Sequence, residues 1–197
     1  DANGGSESPS SKNVIYDGTY GTLARPSRAG YTFLGWYTSR SGGTQISSTT
    51  KVTSTTDHTL YAHWQVNSYT VTFDGTGGTP SYSSKTVTYD SSYGSLPTAS
   101  YTGYNFLGWY TSISGGSQVT SSTTVKNAYN HTLYARWSAK SYTVTFDANG
   151  GSVSPSSKSI TYGSTYGTLP TPSRTGYIFA GWYTSISGGE YVSSTST

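Results

Sequence analysis

Gly103-Tyr104-Asn105-Phe106-Leu107-Gly108-Trp109-Tyr110-Thr111-Ser112 decides how the rest of the chain is read. The same string, G-Y-x-F-x-G-W-Y-T-S, stands at 30–39 and at 176–185, so it recurs at an offset of 73 residues. A fixed period of this size marks an array of supersecondary units. Within each copy, Phe and Trp (Phe33 and Trp36, Phe106 and Trp109, Phe179 and Trp182) are expected to fill the core. The Tyr beside each Trp (Tyr37, Tyr110, Tyr183) is expected to face outward. Gly108, inside a strand pattern, suggests a bulge or the close approach of another backbone.

Working outward, the 73-residue alignment runs without gaps. Asp1-Ala2-Asn3-Gly4-Gly5 matches Asp74-Gly75-Thr76-Gly77-Gly78 and Asp147-Ala148-Asn149-Gly150-Gly151. Thr59-Leu60-Tyr61-Ala62-His63-Trp64 matches Thr132-Leu133-Tyr134-Ala135-Arg136-Trp137. Tyr69-Thr70-Val71-Thr72-Phe73 alternates apolar and polar, the signature of a half-buried strand. Phe146 takes the place of Phe73 in the next copy, and Trp64 and Trp137 close their units on the core side. Asn-Gly in the glycine stretch is a hairpin signal, since both residues tolerate positive φ. Lys85–Tyr89 reads as the returning strand. Asp90–Gly103, with Gly94 and Pro97, is rich in turns and too broken for a long helix.

The resulting organisation is repeat 1 over 1–64 without its first strand, repeat 2 complete over 68–137, and repeat 3 over 142–197 without its last strand. Residues 65–67 and 138–141 are expected as short linkers that hold neighbouring repeats in an extended row. The chain reads as a window cut from a longer array. Its open sheet edges invite head-to-tail self-association.

Ser and Thr make up more than a third of the chain, and only 10% of residues are charged. The 20 Tyr, 5 Trp and 5 Phe recur in phase and argue for folding over disorder. Without cysteine there is neither a disulfide nor a thiolate metal site. The net charge of +3 comes from scattered residues, with no basic run, so no nucleic-acid partner is expected. No apolar run is long enough for membrane insertion as a helix.

The pattern Y-T-V-T-F-D-x-N-G-G, then Y-G-x-L-P-x-P-x-R-x-G-Y-x-F-x-G-W-Y, then T-L-Y-A-x-W resembles the Listeria–Bacteroides repeat family, which includes the B-repeat of bacterial internalins. The resemblance covers essentially the whole chain. It implies a mostly β, small α+β unit of β-grasp-like (ubiquitin-like) type with its helix shortened or replaced by loop. It also implies tandem arrays in secreted or wall-anchored bacterial surface proteins, where they act as stalks or adhesive modules. It carries no catalytic site. Two departures stand out: Thr76 replaces the turn Asn, and Ala99-Ser100-Tyr101 replaces the Pro-Ser-Arg of the other copies.

The residues themselves point away from catalysis. There are 8 carboxylates and 3 His, and no nucleophile–His–acid set recurs at one place in each unit. The recurrent Asp at 1, 74 and 147 sits at a turn, where Asp bonds local backbone. Asp147–Gly151 starts like a calcium loop but lacks the later acid such a loop needs, so no metal or cofactor is expected. Lys12, Lys85 and Lys158 recur in phase and raise the possibility of isopeptide cross-links; snorkelling at a strand edge is the simpler reading. Expected partners are neighbouring repeats in the same chain. A host surface protein, glycan or wall polymer contacting Tyr37, Tyr110 and Tyr183 is the rival expectation.

Overall fold

The computed structural model describes residues 1–197 and contains fourteen strands and no helix. Repeat 1 supplies β1 (Tyr31–Tyr37), β2 (Gln45–Ile46) and β3 (Tyr61–Val66), in the order β2-β1-β3. Repeat 2 supplies β4 (Ser68–Asp74), β5 (Thr79–Pro80), β6 (Ser84–Thr88), β7 (Ala99–Ser100), β8 (Tyr104–Tyr110), β9 (Gln118–Val119) and β10 (His131–Ala139). Five of these form one sheet in the order β6-β4-β10-β8-β9, and β5 pairs with β7 separately. Repeat 3 supplies β11 (Ser141–Thr145) paired with β12 (Ser157–Thr161), and β13 (Trp182–Tyr183) paired with β14 (Tyr191–Val192).

The α+β part of the expectation is corrected, because the chain is all strand. Asp90–Gly103, the stretch with room for a helix, cannot run an i→i−4 ladder. Asp90 and Gly94 take positive φ (61° and 64°), and Pro97 has no N–H to donate. Its Ala99–Ser100 pairs instead with Thr79–Pro80 just after the glycine turn. That turn therefore leads into β5 rather than closing a tight hairpin onto β6. Thr76 adopts the left-handed conformation (φ 44°) that Asn3 and Asn149 also adopt (47° and 48°).

Packing divides the chain into two compact units that cut across the repeats. The first holds Asp1–Asp74, Tyr82–Pro97 and Trp109–Tyr134. One of its cores gathers Tyr20, Trp36, Ile46, Val52 and Ala62, with Phe33, Leu60 and Trp64 packed alongside. Phe33 sits between the two indoles, 5.6 Å from Trp36 and 5.4 Å from Trp64, in edge-to-face geometry. The other gathers Val71, Phe73, Val87, Tyr93, Trp109, Val125 and Leu133, all buried. Phe73 meets Trp109 at 4.9 Å. On β4, Val71 and Phe73 are buried while Thr70 and Thr72 are exposed, as the alternation requires. β4 runs antiparallel to β6 (Tyr69 opposite Val87) and parallel to β10 (Val71 opposite His131).

The second unit holds Gly75–Ser81, Thr98–Gly108 and Ala135–Thr197. Here Trp137 lies 5.2 Å from Phe106 and 5.6 Å from Tyr101, and Phe146 lies 5.0 Å from Trp182. Phe146 is buried, Trp182 is half-buried, and Phe179 is exposed.

The indoles also hold loops. Trp36, Trp109 and Trp182 donate from Nε1 to the carbonyls of Ala24, Pro97 and Pro170 at 2.7–2.9 Å. Trp64 and Trp137 donate to the carbonyls of Ala2 and Gly75, both at 2.9 Å, and so tie down the glycine turn. At Gly35, one period before Gly108, the strand bulges. The β1–β3 register shifts between Phe33 and Gly35, and Gly35 has φ 144°.

Candidate functional site: the joint between repeats

The most elaborate recurring geometry lies where one repeat passes into the next. β3 runs through Val66 and β4 begins at Ser68, so Asn67 alone stands outside strand. Likewise β10 runs to Ala139 and β11 begins at Ser141, leaving only Lys140. The segments expected as linkers of several residues are therefore strand apart from one residue each. That residue has no idle backbone. Asn67 N–H donates to Gly30 O at 2.9 Å, and its carbonyl accepts from Tyr89 N–H at 3.0 Å. At the second joint, Lys140 N–H donates to Gly103 O, and Lys140 O accepts from Tyr162 N–H, both at 2.8 Å.

Side chains close around this backbone clasp. Tyr89 lies edge-to-face on Tyr31 with centroids 5.8 Å apart, and Tyr162 lies on Tyr104 at 5.6 Å. The Tyr ring occupies the space where a side chain at the preceding glycine would be. A Cβ on Gly30 would fall 2.2 Å from Tyr89 Cγ, and one on Gly103 would fall 2.2 Å from Tyr162 Cδ1. Both glycines have left-handed φ, 77° and 80°. The G-Y at the head of the motif is thus a socket for the Tyr of the next repeat.

The first joint has further polar contacts. Thr32 Oγ1 donates to Asn67 Oδ1 at 2.6 Å, and Tyr31 OH donates to Asp90 Oδ2 at 3.1 Å. Lys126 pairs with Asp90, and the Arg28 guanidinium lies 3.8 Å over the Tyr31 ring. The hydrogen bond from Lys126 holds the Asp90 carboxyl below the ordinary carboxylate range, and Tyr31 acts in the same direction; Asp90 in turn raises Lys126. At the second joint Tyr101 replaces Arg28 and stacks on Tyr104 at 4.5 Å. That aromatic stack takes the place of the cation–π contact.

The residues expected to make outside contacts lie elsewhere. Tyr37 is half-buried and stacks on His63, with centroids 3.8 Å apart and planes 9° apart. Tyr110 is half-buried on β8. Tyr183 is 52% exposed, beside Tyr191. The joint tyrosines were not singled out in the sequence. The available signal was Tyr16, Tyr89 and Tyr162, which recur one period apart just after the returning strand.

The recurrent lysines are loop clamps. Lys85 Nζ donates to Tyr93 O and Ser95 O, both at 2.8 Å, and Lys12 and Lys158 hold the matching carbonyls at 2.6–3.0 Å. The recurrent histidines are likewise hydrogen-bonded within their own repeats. Tyr93 OH lies 2.7 Å from His131 Nε2, and His131 Nδ1 lies 3.0 Å from Tyr129 O. A carbonyl only accepts, so Nδ1 carries the proton and Nε2 of the neutral ring accepts from the hydroxyl. Burial pushes the Tyr93 hydroxyl up, which keeps it protonated as the donor. Tyr20 and His58 repeat the arrangement at 2.6 Å. A backbone carbonyl stands where a catalytic triad would place a carboxylate. No group of three or more His, Cys, Asp or Glu is placed to hold a metal ion. No helix is long and apolar enough to cross a membrane.

Small all-strand units, repeated at a fixed period and clasped through one-residue joints, define a tandem-repeat protein. The Listeria-Bacteroides repeat domain matches residues 1–63, 69–136 and 142–197, and the chain belongs to that family. It is 39% identical over 112 residues to Internalin H of Listeria monocytogenes, covering 57% of this chain and 20% of that protein. It is 31% identical over 185 residues to a protein of Evansella cellulosilytica described as a Gly-rich membrane protein, covering 90% of this chain and 21% of the relative. A second Evansella protein, described as a membrane protein, is 33% identical over 196 residues, covering 95% of this chain and 28% of the relative. The chain thus spans less than a third of the length of each of these relatives.

Proposed function

We propose that this chain is a length of non-enzymatic spacer array in a bacterial cell-surface or secreted protein, a stalk that presents other modules and assists adhesion. The observation that carries the proposal is the joint. Bending at Asn67 breaks two backbone hydrogen bonds and lifts Tyr89 from the Gly30 socket, and Lys140, Tyr162 and Gly103 repeat the same constraint. Joints of this kind transmit orientation from repeat to repeat, which is what a spacer requires. The kinship with Internalin H and with two proteins described as membrane proteins supports a place at the cell surface. In each repeat the unit is β-grasp-like without a helix. The order β6-β4-β10-β8-β9, with its parallel central pair β4 and β10, supports that reading.

The test is the independence of the repeats in solution. Backbone 15N relaxation on the whole chain should give repeats 1 and 2 one common tumbling axis. Tyr89→Ala should uncouple them while each repeat keeps its own fold. Repeats that tumble separately in the unaltered chain refute the spacer reading. The rival reading is that the repeats bind a host receptor, glycan or wall polymer through Tyr37, Tyr110 and Tyr183. The stacking of Tyr37 on His63 stands against it. A glycan array in which binding is abolished by the triple Tyr→Ala variant decides in its favour.

A further inference from the structure

The joint between repeats 1 and 2 sets two phenols from different repeats in contact. Tyr31 opens β1 of repeat 1, and Tyr89 follows β6 of repeat 2. Their ring centroids are 5.8 Å apart and their planes 78° apart. Both residues are half-buried, so neither is sealed from solvent. Backbone hydrogen bonds through Asn67 hold the two repeats at this spacing. The rings therefore meet inside one chain at a separation that two independent chains would reach only by collision.

The first joint adds a proton acceptor. Tyr31 OH donates to Asp90 Oδ2 at 3.1 Å. A phenol is oxidised by loss of an electron together with its hydroxyl proton, and the oxidised phenol is a far stronger acid than the phenol itself. A carboxylate already bonded to the hydroxyl takes that proton without rearrangement. The ion pair with Lys126 keeps Asp90 ionised and in place as the acceptor. Asp90 is exposed, so the proton passes on to water. Arg28 lies 3.8 Å over the Tyr31 ring and screens that face from other chains. The second joint has the ring pair, Tyr104 and Tyr162 at 5.6 Å, but Gly163 stands in the place of Asp90.

We infer that Tyr31 and Tyr89 are a site of oxidative cross-linking, in which Asp90 receives the Tyr31 proton and a biaryl bond welds repeat 1 to repeat 2. The oxidant is of the haem peroxidase class, driven by hydrogen peroxide. Each phenol gives up one electron and its hydroxyl proton and becomes a neutral radical. The unpaired electrons, delocalised onto the ring carbons ortho to oxygen, pair to form one Cε–Cε bond. The hydrogens on those two carbons then move to the oxygens through water, which restores both aromatic rings and both hydroxyls. The protein loses two hydrogens in all. One hydrogen peroxide takes up the two electrons and two protons and becomes two water molecules. The rings already touch, so coupling needs side chains to swing and no new approach of the repeats. The linkage makes the orientation at this joint permanent. The inference rests on the geometry of the joint and stands whether or not the array serves as a spacer.

The test exposes the whole chain, dilute enough that chains rarely meet, to a haem peroxidase and hydrogen peroxide, and maps the tryptic peptides by mass. Peptide 29–40 carries Tyr31, and peptide 86–126 carries Tyr89. The expected product is a monomer in which these two peptides are joined, with a mass two hydrogens below their sum. Tyr89→Phe keeps a ring in the Gly30 socket and removes the phenol, so the joined peptide should disappear. Asp90→Asn keeps the shape and removes the acceptor. The yield at a fixed time should then fall to that of the Tyr104–Tyr162 linkage, read as 86–126 joined to 159–174. The inference is overturned if the monomer carries no linkage between 29–40 and 86–126, or if Tyr89→Phe still gives it. It is equally overturned if Asp90→Asn forms it as fast as the unaltered chain, or if Tyr104–Tyr162 links as fast as Tyr31–Tyr89.

Discussion

The socket at Gly30 makes a quantitative prediction. An alanine there meets two separate costs. Its Cβ would fall 2.2, 2.3 and 2.6 Å from Cγ, Cδ1 and Cδ2 of Tyr89, so the ring must leave. That sacrifices an edge-to-face pair worth about 0.5–1.5 kcal/mol beyond area burial. The residue also keeps its left-handed φ of 77°, which costs an L-residue with a Cβ about 1–2 kcal/mol. The sum is about 1.5–3.5 kcal/mol, concentrated at the joint. The direct readout is native-state exchange of the Asn67 and Tyr89 amides, whose acceptors are Gly30 O and Asn67 O. They should exchange about 10- to 300-fold faster in Gly30→Ala. Two controls separate the costs. Gly176 has nearly the same φ, 80°, with nothing within 4 Å of its would-be Cβ. Gly176→Ala therefore bears the backbone cost alone, about 1–2 kcal/mol. In a Tyr89→Ala background the ring is already gone, so Gly30→Ala should also fall to that backbone cost, a coupling of about 0.5–1.5 kcal/mol between the two sites. Strict additivity of the double variant, or equal losses at Gly30 and Gly176, refutes the socket.

Other outcomes follow from the same geometry. Trp109→Phe keeps an aromatic but removes the Nε1 donor from Pro97 O at a site only 2% exposed. The unpaired carbonyl and the lost volume should cost about 2–4 kcal/mol in a urea titration of repeat 2. Lys85→Met keeps the stem and removes both carbonyl contacts to Tyr93 and Ser95. Exchange across Asp90–Gly103 should accelerate by about 1.5–3 kcal/mol, with the core strands unchanged. At the first joint, Asp90 is depressed by its hydrogen bond from Lys126, and Lys126 is raised by Asp90. A lowered carboxyl contributes above its unfolded pKa of about 3.9 and stops contributing as pH falls through the folded value; a raised lysine contributes below about 10.4 and stops as pH rises through its folded value. Both groups are solvent-exposed, so the effect is local and salt-sensitive. The ring-proton shifts of Tyr31 and Tyr89 should step below about pH 4, and Asp90→Asn should abolish the step.

The sequence was most legible where one strand's pattern carries the information. The alternation Tyr69-Thr70-Val71-Thr72-Phe73 gave a half-buried strand, and β4 buries those apolar positions. The period of 73 was readable because Gly, Trp and Tyr recur without a gap. What could not be read is set by partners far away in sequence. Tyr89 seats itself on Gly30, a residue of the preceding repeat, and no local window contains both. Lys85 looked like a strand-edge lysine because its two carbonyl acceptors, Tyr93 O and Ser95 O, lie eight and ten residues along a loop whose path is set by Trp109. The linkers looked longer than they are because β3 and β10 continue past their last apolar residue. Polar Gln65 and Ser138 carry no alternation signal, yet both lie in strand.

Three copies of one motif in different settings separate propensity from pairing. G-Y-x-F-x-G-W-Y forms a seven-residue strand in repeat 1, where β1 is bonded to both β2 and β3. In repeat 2 the matching strand β8 is also seven residues long and lies between β10 and β9. In repeat 3 only Trp182–Tyr183 is strand, paired to β14 alone. Its neighbours Tyr177 and Ile178 are 65% and 97% exposed, although Ile is a stronger strand former than the Thr or Asn at the matching positions. Intrinsic preference therefore cannot be what holds the motif extended. The T-L-Y-A-x-W strand beside it does so, by bonding its backbone and covering its Phe. Gly103 and Tyr104 form a socket for Tyr162 at the head of the fully paired β8. β10 pairs with β8 and leads directly into Lys140, whose N–H donates to Gly103 O, so the last strand and the socket are joined through one residue. Replacing Leu133 by Asp, which removes that strand from the core of repeat 2, should accordingly loosen the Gly103–Tyr162 socket as well. Retained protection of the Lys140 and Tyr162 amides in that variant would show that the socket does not depend on the last strand.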